Sequence, residues 1–143
     1  MNKYYVHLKK PSQEIENYEF ISIENLENQL AETAVENIHI HDLLDYLDDN
    51  IFGVLQLIKS RLKRGGKLSL QGTDIRSLAA SLVHGQISIN TFKSMVYGIN
   101  SDKRSCYSIS EIKSILHDLD GLKIEKIQFL NASQYYIECY KYE

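Results

Sequence analysis

The sequence predicts an α/β fold: a mainly parallel sheet with helices on both faces, finished by an antiparallel hairpin at the C-terminal end. Three observations carry this. Short β-branched and aromatic runs alternate with segments whose apolar residues recur every three or four positions, and such alternation builds parallel sheets through crossovers. The stretch Leu62-Lys63-Arg64-Gly65-Gly66-Lys67-Leu68-Ser69-Leu70 reads as a helix end, a double-glycine turn and a departing apolar strand. The last two strand candidates are separated by Asn131-Ala132-Ser133, the length of a hairpin link.

Taken in order, Tyr4 to Leu8 is a strand, stopped by Lys9-Lys10-Pro11-Ser12, because proline disfavours helix at the residue before it. A second strand, Phe20 to Ile23, follows after a polar, acidic gap that leaves room for a turn or a short helix at most. The first crossover helix is therefore reduced or absent. Asn25 to Glu32 is a short helix with Leu26 and Leu30 inward, and Val35 to Ile40 a third strand. His41 to Leu47 is a turn or short helix leading to the caps Asp48, Asp49 and Asn50. The next helix is expected to bury Phe52, Leu55, Ile58 and Leu62, widened by Ile51, Val54 and Leu57. Lys63 and Arg64 stand at its negative end, and Gly65-Gly66 stop it and turn the chain.

Lys67 to Leu70 is then a strand. Thr73 or Asp74 caps a helix whose inward set is Ile75, Leu78, Ala79, Leu82 and Val83, ended by Gly85. Ile87 to Gly98 is a second short helix, and Asn100 to Arg104 a polar loop. Ser108 and Glu111 have capping-box spacing. They open a helix burying Ile109, Ile112, Ile115, Leu116 and Leu119, with Gly121 at its end. Leu122 to Phe129 and Gln134 to Tyr142 are the closing strands.

Bulk properties narrow the function. A length of 143 residues suits one domain over 1–143 with a sizeable core. A net charge of −3 argues against a general nucleic-acid binder, whose affinity depends on neutralising phosphates. Cys106 and Cys139 form no motif, no apolar run is long enough to span a bilayer, and Met1 to Leu8 is too short and polar for a signal peptide. A cytoplasmic protein is expected.

The order of motifs resembles the Rossmann-like, class I S-adenosylmethionine-dependent methyltransferases, in a short form often associated with sugar or polysaccharide clusters. Phe20-Ile21-Ser22-Ile23-Glu24 is similar to the family's second strand, with Glu24 in the acidic position. Leu44-Asp45-Tyr46-Leu47 stands where the family has LEHL. Leu62 to Leu68 matches its LKPGG-L stretch except for Arg64 in place of proline, and Thr73-Asp74-Ile75 sits where its PDL belongs. By this resemblance Leu8, Lys9, Lys10, Glu24 and His41 fall at the cofactor, S-adenosylmethionine. Asp42, Asp45 and Tyr46 face the acceptor as catalytic candidates.

The departure from the family lies in the loop after the first strand. Active members have glycines there, so that backbone can approach the cofactor closely. This chain reads His7-Leu8-Lys9-Lys10-Pro11-Ser12. The lysines would fill that space and oppose the sulfonium charge. The expected function is thus a methyltransferase-like pseudoenzyme, degenerate in cofactor binding and serving as a structural or regulatory partner. The alternative is an active small methyltransferase with an atypical loop.

Other residues have two readings. Lys9 and Lys10 are a solvated loop pair or an anion site for phosphate or nucleotide. Glu24 binds ribose or is merely the polar end of a strand. His39 and His41 share a strand face, but no third ligand lies at metal spacing. Tyr46 stacks on a ligand or packs, and Asp74 binds ligand or caps its helix. Cys106 reads as half-buried rather than as a nucleophile. Tyr135, Tyr136, Tyr140 and Tyr142 fall on both faces of one strand. One face needs exposure or an interface, which makes a homodimer or a partner enzyme the expected company.

Overall fold

A computed structural model describes residues 3–7, 17–47, 50–98 and 101–143. Six strands form one sheet: β1 (Lys3–His7), β2 (Glu19–Ser22), β3 (Val35–His41), β4 (Leu62–Thr73), β5 (Leu122–Phe129) and β6 (Gln134–Lys141). Their order across the sheet is β2-β1-β3-β4-β6-β5. The first four are parallel, whereas β6 runs antiparallel to both β4 and β5. The helices are α1 (Leu26–Gln29), α2 (Ile51–Arg61), α3 (Ile75–Val83), α4 (Ile89–Tyr97) and α5 (Ile109–Asp118). The predicted α/β class, the mainly parallel sheet and the C-terminal hairpin are all present. The crossover from β1 to β2, expected to hold little or no helix, lies for the most part outside the described residues.

Register explains the core. Ile21, Val6, Ile40, Leu70, Ile137 and Ile127 are successive cross-strand neighbours, a single apolar row through all six strands. Leu26 and Leu30 beside α1, Leu55 and Ile58 of α2, and Ile112 and Leu116 of α5 belong to the same buried cluster. Successive strand residues point to opposite faces, so the intervening row (Phe20, Tyr5, His39, Ser69, Glu138 and Lys126) lies on the other face and is aromatic and polar.

Two expectations about helix faces need correction. Phe52 is 42% exposed, and the buried stripe of α2 runs through Ile51, Leu55, Ile58 and Leu62 instead. A phase error of one residue is about 100° on a helix, and both stripes are apolar in the sequence. In α3 the buried residues are Leu78 and Ser81, and Val83 is 80% exposed. In α4 none is buried, because α3 and α4 pack mainly against each other. The capping box at Ser108 and Glu111 forms as its spacing implies, with the Ser108 hydroxyl accepting the Glu111 N–H and Glu111 accepting the Ser108 N–H.

The double-glycine stretch plays a different part from the one expected. α2 has already ended at Leu62, whose backbone is extended, and Lys141 Nζ donates to the carbonyls of Leu62 and Lys59 (2.8 and 3.2 Å). Buried lysine thus caps the helix end. Gly65 and Gly66 lie inside β4, where the β3–β4 register jumps from Val35–Leu62 to Asn37–Lys67. The extra residues form a bulge. Lys63 pairs across it with Glu36 (2.6 Å). A Cβ at Gly66 would stand 2.8 Å from the Lys63 carbonyl and 3.1 Å from those of Glu36 and Val35. These are backbone atoms that cannot swing aside, so Gly66→Ala is expected to cost about 1–3 kcal/mol. Urea unfolding checks this, and an unchanged midpoint would contradict the bulge geometry.

Candidate functional site

All four parallel strands end on one side of the sheet, at His7, Ser22, His41 and Thr73, the edge at which open α/β sheets bind ligands. Just beyond β3 the chain turns sharply. Asp42 adopts a left-handed conformation (φ 56°), which short polar side chains tolerate best. Its N–H donates to the Gln71 carbonyl (2.9 Å), continuing the contact with β4. A single 3-10 turn, Leu43–Tyr46, follows and buries Leu43, Leu44 and Asp45.

Asp45 is the centre of the site. Its carboxylate is 3.5 Å from Lys103 Nζ, and the two side chains are 11% and 9% exposed. Burial pushes the Asp45 carboxyl up to about 6, partly opposed by Lys103. The Lys103 ammonium also donates to the Met95 carbonyl (3.1 Å) and stands 5.9 Å from the centre of the Tyr46 ring. The Asp45 carbonyl accepts the N–H groups of Arg104 (2.7 Å) and Ser105 (3.0 Å). The segment after α4 is thereby fastened to the turn after β3. A cleft of about 230 Å³ opens here, lined by Asp42, Tyr46, Thr73, Ser94, Met95, Gly98, Lys103 and Gln134. It is large enough for a small polar group, and smaller than a typical drug-sized pocket.

Two more polar atoms lie beside it. Asp42 Oδ1 and His41 Nε2 are buried and make no hydrogen bond among the described residues, although His41 Nε2 is 3.5 Å from Asp42 Oδ2. Buried polar atoms are normally satisfied, so these are the natural contacts for a ligand at the end of β3.

The structure thus gathers Asp42, Asp45 and Tyr46, with His41 adjacent. Glu24 sits apart from the cleft, exposed in the 3-10 turn Ile23–Asn25 at the end of β2, its N–H donated to Ser22 Oγ (3.4 Å). Leu8, Lys9 and Lys10 lie outside the described residues. Asp74 is the helix cap: its carboxylate accepts from the Ser77 hydroxyl (2.6 Å), the Ser77 N–H (3.2 Å) and the Ile109 N–H (2.9 Å). Burial raises its carboxyl, but those bonds outweigh it and leave the group below the usual carboxylate range.

His39 is satisfied by Ser69 Oγ (2.7 Å) and pushed down to about 4 by burial and by His41, so it is neutral. Cys106 is exposed rather than half-buried, and burial followed by the charges of Asp45 and Glu111 pushes its thiol up, away from a nucleophile's range.

Lys103 was invisible in the sequence. It sits in what reads as a solvated polar loop, and no spacing links it to Asp45, 58 positions earlier. Tyr135 of β6 lines, with Asp42 and Asp45, a small void at the end of β3. Its buried ring packs under β4, where a Cβ at Gly72 would lie 2.6 Å from the phenol oxygen.

The residues fit S-adenosylmethionine only in part. Glu24 offers an exposed carboxylate of the kind that holds a ribose. The chain's first glycine, however, is Gly53 in α2, so no Cβ-free backbone follows β1 where the cofactor would need close approach.

No family model matches this sequence, and no curated protein matches it. Solved structures do. An S-adenosylmethionine-dependent methyltransferase from Mesorhizobium loti is similar with a TM-score of 0.66 at 9% identity, over 98% of this chain and 90% of that one. One from Thermotoga maritima has a TM-score of 0.63 at 13% identity, over 98% and 82%. The plantazolicin methyltransferase in complex with S-adenosylhomocysteine has a TM-score of 0.59 at 14% identity, over 89% and 61%. Likeness at such identities concerns the fold. The fold here is the Rossmann-like fold of class I S-adenosylmethionine-dependent methyltransferases.

Proposed function

We propose that this protein, built on the class I methyltransferase fold, is a methyltransferase-like pseudoenzyme, degenerate in cofactor binding, that acts as a structural or regulatory partner. The observation that supports this is the glycine-free sequence His7-Leu8-Lys9-Lys10-Pro11-Ser12 after β1. Two lysines and no glycine at these positions of the sequence would oppose a sulfonium ligand by charge and deny it a Cβ-free backbone, and a ribose contact from Glu24 alone would not orient a methyl group for in-line transfer. The setting proposed is cytoplasmic, consistent with two unbridged cysteines. Among the described residues no helix is long and apolar enough to cross a membrane.

The test is isothermal titration with S-adenosylmethionine and with S-adenosylhomocysteine. Neither is expected to bind; a Kd on the order of micromolar for either would overturn the pseudoenzyme reading. One observation favours the alternative, an active small methyltransferase on a sugar, polysaccharide or other small-molecule acceptor. Asp45 keeps its proton to about pH 6 beside a cleft lined by Asp42, Tyr46 and Lys103, a suitable place for a group that exchanges protons with an acceptor. Transfer of labelled methyl groups to such acceptors, abolished by Asp45→Asn, would establish that reading instead.

A further inference from the structure

We propose that β5 is a homodimer edge, and that two copies of this chain join antiparallel along it about a two-fold axis between Glu125 and Lys126. β5 closes one end of the sheet, so its outer side offers backbone groups to a further strand. Its sequence, Leu122-Lys123-Ile124-Glu125-Lys126-Ile127-Gln128-Phe129, complements itself under that axis. Glu125 faces Lys126 of the second copy and Lys126 faces its Glu125. Ile124 meets Ile127, Leu122 meets Phe129, and Lys123 meets Gln128.

Sidedness decides whether such pairing works. Residues directly opposed in an antiparallel pair must point to the same face. In a regular strand Ile124 and Ile127 point to opposite faces, as do Leu122 and Phe129, because each pair is an odd number of residues apart. β5 is not regular. Its register with β6 slips between Ile124 and Lys126, leaving Glu125 as one extra residue. Ile124 therefore neighbours Cys139 and Ile127 neighbours Ile137, while Leu122 and Phe129 neighbour Lys141 and Tyr135, all on the buried side of β6. The slip puts every apolar member of the self-paired set on one face. A bulge and a lysine ordinarily keep an edge strand single; here the bulge sets the sidedness and the lysine finds its carboxylate.

The apolar row of the core also ends unfinished at this edge. Ile127 is 39% exposed, Phe129 48% and the adjoining Leu130 46%, whereas Ile137, next in the row, is fully buried. Pairing with a second β5 would continue the row across the axis.

Sedimentation velocity on the full chain tests the proposal. The expected species has twice the 16.5 kDa of one chain. Lys126→Glu sets two carboxylates against each other at both symmetry-related positions and is expected to weaken the dimer about tenfold. The double variant E125K/K126E restores two opposite-charge pairs and is expected to recover the dimer. Glu125 and Lys126 are exposed, and circular dichroism of each variant monitors the fold. A monomeric wild type overturns the proposal, as does a dimer indifferent to Lys126→Glu. Failure of the double variant to recover overturns the register.

Discussion

Lys103→Met should destabilise the protein by roughly 3 kcal/mol at pH 8 and by much less at pH 5. The difference follows from Asp45. Its carboxyl is pushed up to about 6 in the folded protein, first by burial. A raised carboxyl pKa means that the folded state holds the proton more tightly than the unfolded chain. The resulting stabilisation is full below the ordinary carboxylate pKa and is lost as pH rises through about 6. At pH 8 the carboxylate is charged, almost wholly buried, and reliant on Lys103 at 3.5 Å. Methionine keeps the length and much of the packing under Tyr46 but removes the charge. Asp45 then stays protonated to higher pH, and holding it ionised costs more. At pH 5 it is largely neutral in both proteins, so little is lost. Urea unfolding at the two pH values measures this, and an equal loss at both would mean that Lys103 acts through packing alone.

Leu55→Ala is expected to cost about 2–5 kcal/mol, a large share of the roughly 5–15 kcal/mol that holds a domain folded. Leu55 is fully buried in the middle of α2, within the cluster that includes Ile40 and Leu70. Phe52→Ala, three residues earlier, is expected to cost under about 1 kcal/mol despite deleting a larger side chain, because that ring is 42% exposed. The pair discriminates between the two apolar stripes that α2 presents. Comparable losses in both variants would mean that the helix is rotated from the orientation described.

That ambiguity shows which kind of information the sequence carries. Periods and caps are local, so β3, β5 and the Ser108–Glu111 capping box are legible almost to the residue, and α4 to within two residues. The burial of α3 is not legible there: its apolar set reads as a core-facing side, but the helix packs against α4, which itself buries nothing. The double glycine reads in the sequence as a helix stop, whereas in the fold it makes the β3–β4 bulge. A bulge needs the same residue as a helix stop, and only the pairing partner on β3 tells them apart.

The site divides in the same way. The sequence by itself determined the alternation of strands and helices, the hairpin at the end, the absence of glycine after β1 and the presence of acids after β3, since each is a property of consecutive residues. Tertiary structure alone decided that Asp42 and Tyr46 line one cleft with Asp45 paired to Lys103 at its edge, while Glu24 stands apart and Asp74 is committed to capping. It also brought Lys103 across 58 positions to Asp45 and aligned the apolar residues of β5 through one slipped residue. The physical reason is that desolvation and charge pairing depend on distance in space: a lysine that looks solvated in its own loop becomes an ion-pair partner only when another segment folds over it.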